Sequence, residues 1–172
     1  MFKAVAILIL YAVLVIALGL LAYLDAPEGA NKATALIVPL VIAGISVACA
    51  VMALFIHKKR TVGMIGIHLG IVFPLLVAVA VGHRGYVAHQ ASEKYQQTRD
   101  LWEQRVRDGG INTPGAREKF FDEANSDEYD KAYLRGALVA IAAVSLQTFV
   151  TMIVARPKPP ARKPKPAAAE TA

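Results

Sequence analysis

Residues 62–82 read VGMIGIHLGIVFPLLVAVAVG, and the fold turns on this stretch. It carries no Lys, Arg, Asp or Glu, and it is long enough for a helix rising about 1.5 Å per residue to cross a hydrocarbon layer about 30 Å thick. Three further stretches pass the same test, at 4–24, 33–56 and 132–155, and none has Lys, Asp or Glu in its central two-thirds. In a chain of 172 residues that is 56% hydrophobic and 19% charged, apolar content so concentrated points to lipid rather than to a soluble core. The first stretch follows Lys3, as a signal peptide would. It is longer than the usual apolar segment of about 7 to 15 residues, and Ala22-Tyr23-Leu24-Asp25-Ala26 makes a poor cleavage site. The expected fold is therefore all-α: a polytopic membrane protein of four transmembrane helices.

Charge sets the expected orientation. Lys58, Lys59 and Arg60 fill the short connection between the second and third spans, and Arg156, Lys158, Arg162, Lys163 and Lys165 follow the fourth. The first connection offers Lys32 against Asp25 and Glu28. Basic residues beside spans are retained on the cytoplasmic side, so both termini are expected there, in a bacterial inner membrane. The net charge of +6 then belongs to orientation and to anionic headgroups as partners, not to nucleic acid.

Between the third and fourth spans the chain changes character, which divides it into spans 1–83, an extramembrane segment 84–131, a last span 132–155 and a tail 156–172. Val87, Ala91, Tyr95, Thr98, Trp102 and Val106 recur at three and four residues, with Glu93, Lys94, Arg99, Asp100 and Glu103 on other faces. That pattern is an amphipathic helix, either continuing the third span past Gly82 and Gly85 or bending there into the headgroup layer. Gly109-Gly110 ends it, Thr113-Pro114 has the form of an N-cap with proline at the first helical position, and 117–123 form a second short helix. Ser126, followed by Asp127 and Glu128, is the expected N-cap of the last helix. A helical elbow between spans three and four results. The tail is rich in Pro, Lys and Ala without apolar periodicity, and disorder is expected of it.

Inside the apolar stretches the polar and small residues are the informative ones, because large apolar side chains gain little by leaving lipid for a neighbouring helix. Gly63, Gly66 and Gly70 suggest a packing seam or a ligand route on the third span, and Gly136, Ala137, Ala140, Ala142 and Ala143 offer close approach on the fourth. His68, taken to lie near the glycine stripe, is the sharpest candidate. The alternative for it is a neutral imidazole bonded to Ser46, Gln147 or a tyrosine. Pro39 and Pro74 interrupt spans two and three and suggest kinks. The lone Cys49 reads as a small apolar filler and excludes an intrachain disulfide.

No cofactor is expected. His57, His68, His83 and His89 fall at different depths, which argues against a shared haem or metal. No catalytic centre is expected either: Asp122-Glu123 and Asp127-Glu128-Asp130 are the nearest candidates, and capping and solvation beside Arg117, Lys119 and Lys131 account for them.

Tyr11, Gly19 and Ala22-Tyr23-Leu24-Asp25-Ala26, with Gly63, Gly66 and Gly70, Gly82-His83-Arg84 and Arg135-Gly136-Ala137-Leu138, are similar to segments of the transmembrane protein 14 family. The resemblance covers the four spans, while the third connection here is far longer. It implies a facilitative carrier of hydrophobic or amphipathic small molecules, such as fatty acids or porphyrin precursors. The alternative is a non-catalytic accessory subunit of a larger membrane complex, with a homo-oligomer or another membrane protein as partner.

Overall fold

The computed structural model describes residues 2–28, 32–110, 112–127 and 129–155, without the side chain of His57. The expected disordered tail, with Arg156 and Lys158, lies outside the described residues, as does Glu128. Among the described residues there are five α-helices and no strand: α1 (Phe2–Leu24), α2 (Ala33–Leu54), α3 (Arg60–Arg107), α4 (Pro114–Glu123) and α5 (Ala132–Val154). Four of them, α1, α2, α3 and α5, are long and apolar enough to cross a membrane. The second stretch stops being α-helical at Leu54, and Phe55–His57 tighten into a 3-10 turn before Lys58 and Lys59.

The four long helices form a ring in which α1 packs along α2, α2 along α3, α3 along α5, and α5 back on α1. Neighbours run antiparallel. Gly19, late in α1, faces Pro39, early in α2, while Gly66 faces Met52 and Ala53, and Gly85 faces Leu138 and Val139. The start of α1, the Lys58-Lys59-Arg60 connection and the end of α5 therefore share one end of the bundle. Two apolar clusters fill the interior. One joins Ala4, Leu8, Cys49, Ala53, Ile67 and Met152, and the other joins Tyr11, Val15, Ile42, Val77, Leu138 and Ile141.

Small residues fill many of the helix contacts, beside larger buried ones such as Leu8, Tyr11, Ile141 and Met152, while large aliphatics also cover the surface. Ala12, Gly19, Ala43, Ser46, Gly66 and Ala50 are buried, whereas Leu10, Leu21, Leu54, Leu76, Val79 and Val150 are exposed. A water-soluble bundle buries its largest aliphatics. A bundle with small residues at its contacts and large aliphatics on its surface is one whose surroundings are themselves apolar.

Helix α3 runs unbroken from Arg60 to Arg107, through the expected boundary at 83/84, and so decides between the two geometries left open for the elbow. Its 48 residues rise about 70 Å, more than twice a hydrocarbon core of about 30 Å. The face it buries beyond Val81 consists of Gly85, Ala88, Ser92, Thr98 and Trp102. Thr98 and Trp102 match the expected apolar stripe, but Val87 is 49% exposed. Small residues, not valine, meet α5 where the two backbones run close.

Gly109, at φ +91°, lets α3 end with Gly109 N–H donating to Val106 O and Gly110 N–H to Arg105 O. Thr113 Oγ1 then accepts from Ala116 N at 3.3 Å, capping α4 with Pro114 in its first turn. α4 thus begins at Pro114, the first helical position expected from the Thr113-Pro114 pair. It closes with the same device, Asn125 at φ 49°, Asn125 N–H on Asp122 O and Ser126 N–H on Phe121 O. This corrects the expected role of Ser126. Its backbone finishes α4, and α5 starts later, with Asp130 Oδ1 accepting from Ala132 N at 2.9 Å. α4 folds back on the far part of α3 through Tyr95 and Phe121, with ring centroids 5.5 Å apart, and Trp102 and Phe120, also 5.5 Å apart. The Arg117 and Arg105 guanidiniums lie over Phe121 and Phe120 at 5.1 and 5.6 Å.

Candidate functional site

The glycine stripe is a closed seam. A Cβ at Gly63 would meet Ile56, one at Gly66 would lie 2.7 Å from Ala53 N, and one at Gly70 would lie 2.8 Å from Leu8 Cδ1. Pro74 is fully buried on the same face. Pro39 and Pro74 both remain inside continuous helices. In place of a route between α2 and α3, Gly63 and Gly66 bring backbone against backbone, and Gly70 is closed off by Leu8 and Met152.

His68 does not join that seam. It is two residues from both Gly66 and Gly70, about 200° around the helix from each, and it is exposed with Nδ1 2.7 Å from Met64 O. Since a carbonyl only accepts, Nδ1 carries the proton. The partner is its own helix, not Ser46, Gln147 or a tyrosine. Gln147 is likewise exposed, with its carbonyl accepting from Thr151 Oγ1. Ser46 instead donates to Ile42 O. The candidates thus separate into a buried set, Gly63, Gly66, Gly70 and Pro74, and an outward pair, His68 and Gln147.

Within the bundle the polar link is Tyr11 to Ser145, with Oη and Oγ 2.7 Å apart and both side chains buried. Ser145 spends its one hydrogen on Ile141 O at 2.7 Å, so Tyr11 is the donor between them.

A second constellation, none of it among the expected site residues, stands at the end of the bundle where α3 leaves it. Gly82, Gly85 and Gly136 open a groove of about 480 Å³ between α3 and α5, with Val139 on its wall. Tyr86, His89 and Arg135 form the polar side. Arg135 NH1 stands 3.1 Å from His89 Nδ1. A guanidinium only donates, so Nδ1 accepts and the neutral ring carries its proton on Nε2, which faces Glu93 Oε1 at 3.6 Å. Among the described residues no carboxylate stands within ion-pairing distance of Arg135. The Tyr86 hydroxyl accepts from Gln90 Nε2 at 3.0 Å. The arrangement offers a cation with spare donors beside an apolar trough. The signal available in sequence was Arg135 next to Gly136, opposite Gly82 and Gly85, but pairing them requires knowing that α3 and α5 are neighbours.

One turn further out, Ser92 Oγ donates to Asp130 Oδ1 at 2.6 Å, and the same oxygen takes the first free N–H of α5. Ser92 is fully buried. This pin fixes where the returning chain meets α3. Asp130→Ala leaves both donors without their acceptor and is expected to cost about 1 to 3 kcal/mol. Asp130→Asn, which keeps an acceptor oxygen, is expected to cost less. Hydrogen exchange at Ala132 to Arg135 reads the difference, and equal protection in the two variants would contradict the pin.

Comparison with protein-family models, with curated proteins and with solved structures finds no match, so the functional reading rests on these residues and their geometry.

Proposed function

We propose that the chain is a four-span integral membrane protein with both termini on the cytoplasmic side, and that it serves as a non-catalytic accessory subunit of a larger membrane complex. The bilayer placement is supported by the four apolar helices and by the large aliphatics that cover their outer surface. The orientation is supported by the gathering of Lys58, Lys59 and Arg60 at one end of the ring. One observation carries the accessory role. α3 continues about 40 Å past Gly82 as a single helix, and α4 is locked back onto it by stacked aromatics and two arginines, giving a projecting hairpin with no hinge. A rigid arm outside the bilayer suits holding a partner at a set height.

A facilitative carrier of hydrophobic or amphipathic small molecules is the second reading. The groove between α3 and α5 favours it, as does the likeness to the transmembrane protein 14 segments. The closed glycine seam weighs against a route through the bundle axis.

Photocrosslinking in cells from Leu101, exposed on the arm, and from Leu21, exposed on the bundle, separates the readings. The accessory role expects one discrete protein adduct from Leu101 and lipid adducts from Leu21. Lipid adducts alone, together with faster fatty-acid flux in liposomes that contain the protein, would reverse the order.

A further inference from the structure

We infer that the groove between α3 and α5 is a binding site for one anionic glycerophospholipid, with the phosphodiester on Arg135 and an acyl chain along Gly82, Gly136 and Val139. The inference rests on the bilayer placement proposed above. Three observations carry it.

The first is position. The uncharged run of α3 ends at Gly82, and His83, Arg84 and His89 follow, so the groove straddles the level at which an apolar helix gives way to a polar one. A groove open sideways at that level meets bilayer lipid before it meets any solute.

The second is charge. Arg135 is half-buried on the groove wall, with one N–H directed to neutral His89 and no carboxylate partner among the described residues. A guanidinium has five donors in a planar fork that matches a phosphate bidentately, and here it has donors to spare. Of the nearby carboxylates, Glu93 faces His89 and Asp130 is held by Ser92 Oγ and the Ala132 N–H, so neither neutralises Arg135. A zwitterionic headgroup would bring its own ammonium beside the Arg135 guanidinium, whereas a phosphatidylglycerol headgroup brings none.

The third is shape. A Cβ on Gly136 would meet nothing within 4 Å, and one on Gly82 would meet only Ala142 Cβ at 3.8 Å. Helix packing therefore does not require glycine at either position. Their bareness leaves an open trough of about 480 Å³ on the side of the bundle, facing its surroundings laterally.

The test reconstitutes the full chain in nanodiscs of equal phosphatidylglycerol and phosphatidylcholine, then counts the lipids it retains by native mass spectrometry. The wild type is expected to keep one phosphatidylglycerol in preference to phosphatidylcholine. Arg135→Gln is expected to lower that retention about tenfold, the loss of a charged hydrogen-bond pair, with Arg135→Lys intermediate. Gly136→Leu fills the trough without touching the charge and is expected to displace the lipid too, so the site is tested even if Arg135→Gln folds poorly. Equal retention of both lipids, or unchanged retention in Gly136→Leu, would overturn the site. Release of the wild-type chain from membranes by alkaline carbonate would instead overturn the bilayer placement, and with it this inference.

Discussion

Gly66→Leu is expected to prevent the bundle from assembling, and Gly66→Ala to cost about 2 kcal/mol, within the range of about 1 to 3 kcal/mol for overpacking. The reason lies in what a Cβ would strike: Ala53 N at 2.7 Å, Met52 Cβ at 2.7 Å and Cys49 O at 2.9 Å. Two of the three are backbone atoms of a facing helix and cannot swing aside. Gly70→Ala is expected to be milder, because its nearest atoms are the methyls of Leu8, which can change rotamer. Gly44→Ala, on the outer face of α2 with nothing within 4 Å, is expected to be neutral or to stabilise by up to about 1 kcal/mol through helix propensity. Thermal unfolding of the solubilised protein gives the ranking, with a drop of about 5 °C anticipated for Gly66→Ala. A Gly66→Ala variant as stable as Gly44→Ala would mean that α2 and α3 do not meet as described.

The second large effect belongs to Tyr11, the largest fully buried side chain among the described residues and 1% exposed. Tyr11→Ala removes a ring packed among Val15, Ile42, Val77 and Ile141, and is expected to cost about 3 to 5 kcal/mol through the cavity left behind. Tyr11→Phe keeps the ring and removes the donor to Ser145. Since Ser145 still has Ile141 O for its own hydrogen, the expected cost is about 1 kcal/mol. Ser145→Ala should be worse than Tyr11→Phe, because it strands the Tyr11 hydroxyl in an apolar interior with its acceptor gone. The order Tyr11→Ala, Ser145→Ala, Tyr11→Phe is the expected result in the same unfolding measurement. If Tyr11→Phe proved the more damaging of the two hydrogen-bond variants, the donor assignment would be wrong.

Gly63, Gly66 and Gly70 already mark a packing face on α3, but no local pattern announces the polar contacts. Tyr11 and Ser145 are 134 residues apart, Ser92 and Asp130 are 38 apart, and His89 and Arg135 are 46 apart. His68 is the opposite case. Its separation by two residues from Gly66 and Gly70 already places it about 200° from their face, so helical phase alone excludes it from the seam.

What the sequence by itself determined was the set of helices and several of their ends. Runs of apolar residues about 20 long specify helix wherever backbone groups must be satisfied without water. Gly109 and the Thr113-Pro114 cap act within a few residues of themselves. What only the tertiary structure decided was which helix the glycine face of α3 meets, which faces of the other helices turn inward, and hence the Tyr11 bond and the groove. Hydrophobic periodicity marks an inner face only when the other face meets water, and α1, α2 and α5 are apolar nearly all round. In such helices the faces are chosen by close approach of small residues and by hydrogen bonds between distant positions, and neither exists until the helices stand side by side.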